Sequence, residues 1–348
     1  MDKQRRFGII AALVAALLFG AAAPLGKPLL RFLTDLQLAG LLYLGAALGV
    51  LVIMLRERPL TLPWQMPKRD TLRLAGAILF GGVLGPVLLL AGLRIAAAAS
   101  VSLWLNLEMA ATVIIGVLFF KDHLSSRGWL AAGGVLAAAV IIAWGGGVAG
   151  FKAGGLVALA CISWGVDNHL TALIDGITPA QSTFWKGIVA GSVNLALGLA
   201  AAPLLAPTLN LAAALGLGAI AYGLSILLYI TAAQNLGAIR SQLIFSGAPF
   251  FGLVFSILLG DSLSWLQWVA LILFAVSIYL LFRETHSHLH HHDPLTHVHT
   301  HFHPDQHHDH GHPEGEVGPV RHSHEHTHTK MQHSHPHWPD LHHRHEHD

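Results

Sequence analysis

Glu108 and Asp167 are carboxylic acids set in otherwise apolar stretches, and Lys186 stands in the next such stretch. An ionisable side chain in hydrocarbon costs at least ~2.5–3.5 kcal/mol on insertion scales, which makes each a functional candidate by default. Glu108 closes the run Trp104-Leu105-Asn106-Leu107-Glu108. Its carboxyl group could bind an amine or cation, or carry a coupling proton; the structural alternative is a helix-to-helix bond to Arg94 or Lys186. The second cluster is Trp164-Gly165-Val166-Asp167-Asn168-His169-Leu170-Thr171. On a helix Ser163, Asp167 and Thr171 share one face, Asn168 lies one position round, and Lys186 is the candidate partner of Asp167. His169 sits roughly 200° from Asp167 on a regular helix, so only one of the two can face a given cavity. A histidine bonded to a neighbouring helix is its equally weighted alternative. The candidate pathway is therefore Glu108, Asp167, Asn106, Asn168, His169 and Lys186, with Trp104 and Trp164 as lining. Catalytic chemistry is not expected: the chain has no H-E-x-x-H, no Ser/Lys arrangement and no G-x-x-x-x-G-K-[ST] loop for nucleotide phosphates.

A different chemistry is written into the C-terminus. Of 26 histidines, all but His123 and His169 follow Arg283. They recur as His-x-His: His286, His288 and His290; His297, His299, His301 and His303; His322, His324, His326 and His328; His333, His335 and His337; His343, His345 and His347. Neutral imidazoles suit zinc, nickel, cobalt or copper, and closely spaced ones can serve a single ion. Asp305, Asp309, Asp340 and Glu346 are further oxygen donors. A fixed structural zinc site would show a defined four-ligand set with cysteine, which this run does not resemble. The competing reading is a pH-responsive tail, because histidines protonate near pH 6.5. Metal binding is preferred, and no bound cofactor is required by the rest of the chain.

The segments that must position these groups read as membrane helices. The 348 residues are 53% hydrophobic and 11% charged, against about 25% charged in soluble domains, and the mean hydropathy is +0.57. The formal charge of +1 hides a split: residues 1–285 carry 17 Lys+Arg and 10 Asp+Glu, whereas 286–348 carry 3 and 9. With Cys161 as the only cysteine, a disulfide scaffold is excluded. Scattered basic residues without an aromatic-studded stripe argue against nucleic acid as a partner. Continuously apolar, Ala- and Leu-rich runs occur at about 8–30, 36–55, 71–93, 97–119, 128–146, 153–174, 180–201, 211–232, 239–259 and 264–282. Their lengths match what a helix needs to cross roughly 30 Å of hydrocarbon. The first is read as a span rather than a cleaved leader. Lys3, Arg5, Arg6, Arg56, Arg58, Lys68, Arg69, Arg73, Lys121 and Arg127 fall on one side, which predicts both termini in the cytoplasm of a bacterial-type inner membrane.

The halves match one another. Lys121-Asp122-His123-Leu124-Ser125 with Trp129 aligns on Gly260-Asp261-Ser262-Leu263-Ser264 with Trp268 at an offset of 139, and Phe19-Gly20 pairs with Trp164-Gly165. Five spans per copy is an odd number, so the second copy enters the membrane inverted, as in many secondary transporters. The expected architecture is an all-α integral membrane protein of ten transmembrane helices in two inverted five-helix repeats, 1–146 and 150–283. A disordered His-rich tail over 284–348 follows, unable to bury a core. Gly81-Gly82, Gly133-Gly134 and the Gly145-Gly146-Gly147 connection are read as close-packing or joining positions. Pro24, Pro28, Pro86 and Pro249 are expected to interrupt helical bonding.

Trp164-Gly165, Asn106-Leu107-Glu108 and the Asp-x-Leu-Ser turns after the fourth and ninth spans together resemble the drug/metabolite transporter superfamily, EamA type, over nearly all of 7–283. The turns carry Asp122 and Asp261 where that family usually has Glu, and Phe19-Gly20 replaces its usual Trp-Gly. The resemblance implies a central cavity and transport of a small metabolite, often by export. The expectation is a secondary transporter of an amino acid, amine or similar molecule, working by alternating access with proton coupling and a metal-binding regulatory or buffering tail. Two rivals are a divalent metal transporter fed by the tail and a membrane-anchored metal buffer or sensor. The bilayer, a small substrate, metal ions and a second copy of the chain are the candidate partners.

Overall fold

The computed structural model describes residues 3–57, 60–120, 126–174, 177–236, 244–282, 286–292, 295–301, 322–328 and 331–337. The body is helical: α1 Arg6–Leu29, α2 Asp35–Arg56, α3 Lys68–Ile95, α4 Ala98–Phe119, α5 Ser126–Gly145, α6 Gly147–Thr171, α7 Pro179–Ala201 and α8 Thr208–Ala232 are each long and apolar enough to cross a membrane. The described parts of the last two, α9 Ala248–Leu258 and α10 Trp265–Leu280, are shorter. The Lys121–Ser125 turn of the sequence match lies outside the described residues, as do His303, His343, His345 and His347.

The local sequence starts and stops these helices in recognisable ways. Thr34 caps α2 reciprocally: its Oγ1 accepts from the Gln37 amide and Gln37 Oε1 accepts from the Thr34 amide, both at 3.1 Å. Thr178 caps α7 the same way on one side, accepting from the Gln181 amide at 3.2 Å, with Pro179 at the first helical position. The two helices are each second in their half, and both open with Thr-x-x-Gln. At the join between halves only Gly146 separates α5 from α6, and Gly147 takes φ +57° to make the turn.

Two irregularities repeat with the halves. α3 contains a π-helical turn at Ile78–Leu84 and α8 one at Gly218–Leu224, at a constant offset of 140. In the first, Pro86 has no N–H to offer, and the Gly85 amide bonds Phe80 O. The Gly81 carbonyl is thereby left for side chains to satisfy.

α2 is the central strut. It packs on α7 and α8 through glycines: a Cβ on Gly40 would come within 2.6 Å of Leu195 N, and one on Gly45 within 2.2 Å of Leu215 O. With lipid tails as apolar as leucine, this close approach gains dispersion contact that bulkier residues would forbid. At one end of the bundle, Arg94 pairs with Asp35 at 2.7 Å and donates to the Leu30 and Leu33 carbonyls at 2.8 Å each. Nearby Lys27 donates to Leu93 O and Ala96 O. Asp261 Oδ2 accepts from the first turn of α4 at Ala99 N, 3.0 Å.

The tail is described by its backbone alone. β1 His286–His292 pairs antiparallel with β4 Met331–His337, and β2 Leu295–His301 with β3 His322–His328. The register opposes His286 to His337, His288 to His335 and His290 to His333, and His297 to His326, His299 to His324 and His301 to His322. These two-stranded ladders are an addition to the expected coreless tail, and two strands alone are marginal in water.

Candidate functional site

Asp167 sits on α6 facing α7, where Lys186 Nζ binds Oδ1 at 2.6 Å and Oδ2 at 2.9 Å. Thr171, one turn on, donates to Oδ1 at 2.8 Å and accepts from Lys186 at 3.2 Å. The three side chains named from their spacing and neighbouring span thus form one bonded unit. Its ionic side chains are only 15% (Lys186) and 12% (Asp167) exposed. Burial of this kind makes the pair costly to break, because either partner alone would be an uncompensated charge.

The π-turn of α3 forms the wall behind Asp167. Gly81 lies against its carboxylate, and the Gly81 carbonyl accepts from Trp164 Nε1 at 3.0 Å and from Tyr43 Oη. Asn194 on α7 donates to the adjacent Gly82 carbonyl at 3.0 Å. Backbone freed by the π-turn is therefore bonded from α2, α6 and α7 together. Trp164 also joins a cluster of rings: Phe19 meets Trp164, Tyr222 and Phe245 with centroids 6.5, 5.7 and 5.5 Å away, and Tyr43 meets Tyr222 at 5.6 Å.

Glu108 has a different partner from those considered in the sequence. Asn168 Nδ2 donates to its Oε1 at 3.1 Å and lies 3.4 Å from Thr112 Oγ1. Arg94 is at the end of α3 with Asp35, and Lys186 is with Asp167. Adjacent residues of α6 thus serve different neighbours, Asp167 toward α7 and Asn168 toward α4, as a helical step of about 100° requires. Asn106 stands at a break in α4 between Trp104 and Leu107; its Nδ2 donates to Leu103 O at 2.8 Å, while Oδ1 is buried without a hydrogen-bond partner among the described residues. Trp104 is packed rather than lining: it is 1% exposed and donates to Ala139 O at 3.0 Å. A bulky apolar ring with one donor is well served by that seam between helices. His169 is buried with Nδ1 2.8 Å from Gly165 O, on the side of α6 away from Asp167. Cys161 is buried too.

A cavity of about 220 Å³ opens onto the Asp167–Lys186 unit. Lys186, Tyr43, Tyr222 and Thr171 bring polar groups to its lining, and Ile226 and Ile230 bring apolar ones. Ile177, Thr178 and Pro179, between α6 and the first turn of α7, line it as well. At roughly 30 Å³ per water, that is the space of about seven waters, suited to a small metabolite. It draws on α2 from the first half and α6, α7 and α8 from the second. Tyr43 and Tyr222 were not singled out from the sequence, and Gly81-Gly82, with Pro86 following, was read there as a close-packing pair only.

The two halves each match the model of the EamA-like transporter family, over residues 6–144 and 152–283. An uncharacterized transporter of Methanothermobacter thermautotrophicus is 25% identical over 304 residues, covering 80% of this chain and 87% of that protein. A protein of known crystal structure superposes with a TM-score of 0.58 at 16% identity, over 79% of this chain and 97% of that one, and so shares the fold. The duplicated helices, the buried Asp167–Lys186 pair whose lysine lines a cavity and the family match over both halves agree, and this chain belongs to the EamA-like transporter family.

Proposed function

We propose that this EamA-type transporter moves a small metabolite, an amino acid, amine or similar molecule, by alternating access with proton coupling. The observation that carries the reading is the Asp167–Lys186 pair, whose lysine lines a cavity shared by both halves. Inverted repeats place substrate and coupling groups at such a junction, where rocking of one half against the other changes the side exposed. Glu108, held by neutral Asn168, is the second carboxylate of the pathway. A regulatory or buffering role for the tail rests on its imidazole density, with zinc, nickel, cobalt or copper as candidate ions. A metal-conducting body has less support: among the described residues no three His, Cys, Asp or Glu side chains cluster as a metal site.

Reconstitution tests the reading. Full-length protein and a chain ending at Glu284 are placed in liposomes and assayed for uptake of amino acids, amines and divalent metals. Metabolite flux by both forms, with metal bound only by the full-length chain, is the expected result. Metal flux that survives removal of the tail, without metabolite flux, would replace it with the metal-transporter reading. Proton coupling fails if Glu108→Gln and Asp167→Asn transport at wild-type rates across the pH range.

A further inference from the structure

We infer that Lys186 is the docking group for the carboxylate of a small aliphatic monocarboxylic acid and that Asp167 takes up one proton for each carboxylate bound. The inference rests on the metabolite-transport reading and sharpens it to a substrate class and a coupling step. Lys186 is the cation among the described residues that line the cavity, which otherwise offer the hydroxyl groups of Tyr43, Thr171 and Tyr222 and the apolar side chains of Ile174, Ile177, Ile226 and Ile230. A molecule with one anionic end and a short branched tail matches that mixture. A free amine does not, since it would meet the ammonium group of Lys186.

The resting site already satisfies Lys186, whose three N–H groups reach Asp167 Oδ1, Asp167 Oδ2 and Thr171 Oγ1. A substrate carboxylate must therefore take the place of Asp167. Two carboxylates around one ammonium would leave a net negative charge in a water-poor site, which is strongly disfavoured. Protonation of Asp167 removes the conflict. Before binding, the site holds the Lys186 ammonium and the Asp167 carboxylate; the substrate anion and one proton enter; afterwards the ammonium faces the substrate carboxylate and Asp167 is a neutral acid. The site carries no net charge in either state, so substrate and proton cross together. Neutral Asp167 keeps partners for its new form, because Thr171 can accept as well as donate.

The groups facing Asp167 permit this exchange. Thr171 is on α6 itself, Lys186 on α7 and the Gly81 backbone on α3. Tyr43 on α2 and Glu108 on α4 are near enough to interact with it electrostatically.

Three probes that share a branched aliphatic tail separate the possibilities: isovalerate has only the carboxylate, isopentylamine only the ammonium, and leucine both. Binding to full-length protein in lipid nanodiscs is measured by calorimetry at neutral pH in two buffers of different ionisation enthalpy, which yields protons taken up per ligand. Isovalerate is expected to bind with uptake approaching one proton, leucine more weakly because its ammonium group meets that of Lys186, and isopentylamine not to bind. Asp167→Asn should bind isovalerate about tenfold more tightly with no proton uptake, its internal competitor having lost its charge. Lys186→Gln should lose acid binding. The neutral pair Asp167→Asn/Lys186→Gln, checked for a folded-state melting transition, separates loss of the docking group from loss of fold. Amine-only binding, acid binding without proton uptake by the wild type, or acid binding unchanged in Lys186→Gln would each overturn the inference. Should none of the probes bind while metabolite flux in liposomes persists, the carboxylate assignment falls and the transport reading stands. Should flux also be absent, both fall.

Discussion

Gly81→Ala is the smallest change that should disable the site. A Cβ at this position would lie 2.0 Å from Asp167 Oδ2, 2.3 Å from its Cγ and 2.8 Å from its Cβ. Non-bonded carbon and oxygen need more than 3 Å, so the carboxylate must retreat by about 1 Å or the π-turn must move. Retreat lengthens the contacts to Lys186 Nζ, now 2.6 and 2.9 Å, beyond hydrogen-bonding range unless Lys186 follows. Lys186 has little room to do so, because its stem runs beside Gly82, whose own added Cβ would find Lys186 Cγ at 3.7 Å. Overpacking costs about 1–3 kcal/mol, and separating a buried ion pair about 3–5 kcal/mol when complete. Partial separation places the expected loss at about 2–4 kcal/mol. Gly133→Ala is the matched control, since its Cβ would meet nothing within 4 Å, and helix propensity favours alanine by up to about 1 kcal/mol. Thermal unfolding of detergent-solubilised protein, followed by fluorescence-detected gel filtration, reads both variants, and liposome flux reads function. Equal melting temperatures for the two variants, with wild-type flux in Gly81→Ala, would refute the packing argument.

Other expectations follow from the same contacts. Trp164→Phe and Tyr43→Phe each remove one donor to Gly81 O and should each cost about 0.5–1.5 kcal/mol; the double variant strands the carbonyl and should cost more than the sum, as a thermal double-mutant cycle would reveal. Arg94→Gln gives up the Asp35 pair and bonds to two carbonyls; a loss of about 1–2 kcal/mol is expected, reduced from the buried-pair scale because the group is partly exposed, and chemical denaturation curves would measure it. Asp261→Ala removes the cap on Ala99 N and should lower stability by about 1 kcal/mol, whereas Asp261→Asn, which keeps an acceptor, should recover most of it in the same melts. Equal effects of Ala and Asn would show that charge rather than the hydrogen bond matters there.

The sequence made some of this legible and hid the rest for identifiable reasons. The spans could be read because hydrocarbon demands long apolar helices, and Thr171 could be grouped with Asp167 because four residues bring side chains round to one face. Lys186 was reachable as the charge of opposite sign in the following span. Glu108 was harder: Asn168, Arg94 and Lys186 are all chemically able to bond it, and only packing assigns Arg94 to Asp35 and Lys186 to Asp167. Trp104 illustrates the same limit, since a tryptophan two residues from a polar break can face a cavity or a seam, and Ala139 O decides it. Tyr43 was invisible because its role depends on a carbonyl freed in another helix. The π-turns themselves leave no side-chain period to detect, and the glycines of Gly81-Gly82 could equally have signalled close packing.

A π-turn is an α-helix that has gained one residue without losing its axis. The two copies here, Ile-Leu-Phe-Gly-Gly-Val-Leu at Ile78–Leu84 and Gly-Ala-Ile-Ala-Tyr-Gly-Leu at Gly218–Leu224, share only the closing leucine in that alignment. The same irregularity is therefore built from two almost wholly different sets of side chains. Removing it from one copy would turn all that follows in that helix by about 100°, carrying Arg94 away from Asp35 in α3. The inserted residue thus sets the angular registry of each helix, and each half fits its own side chains to the same backbone step.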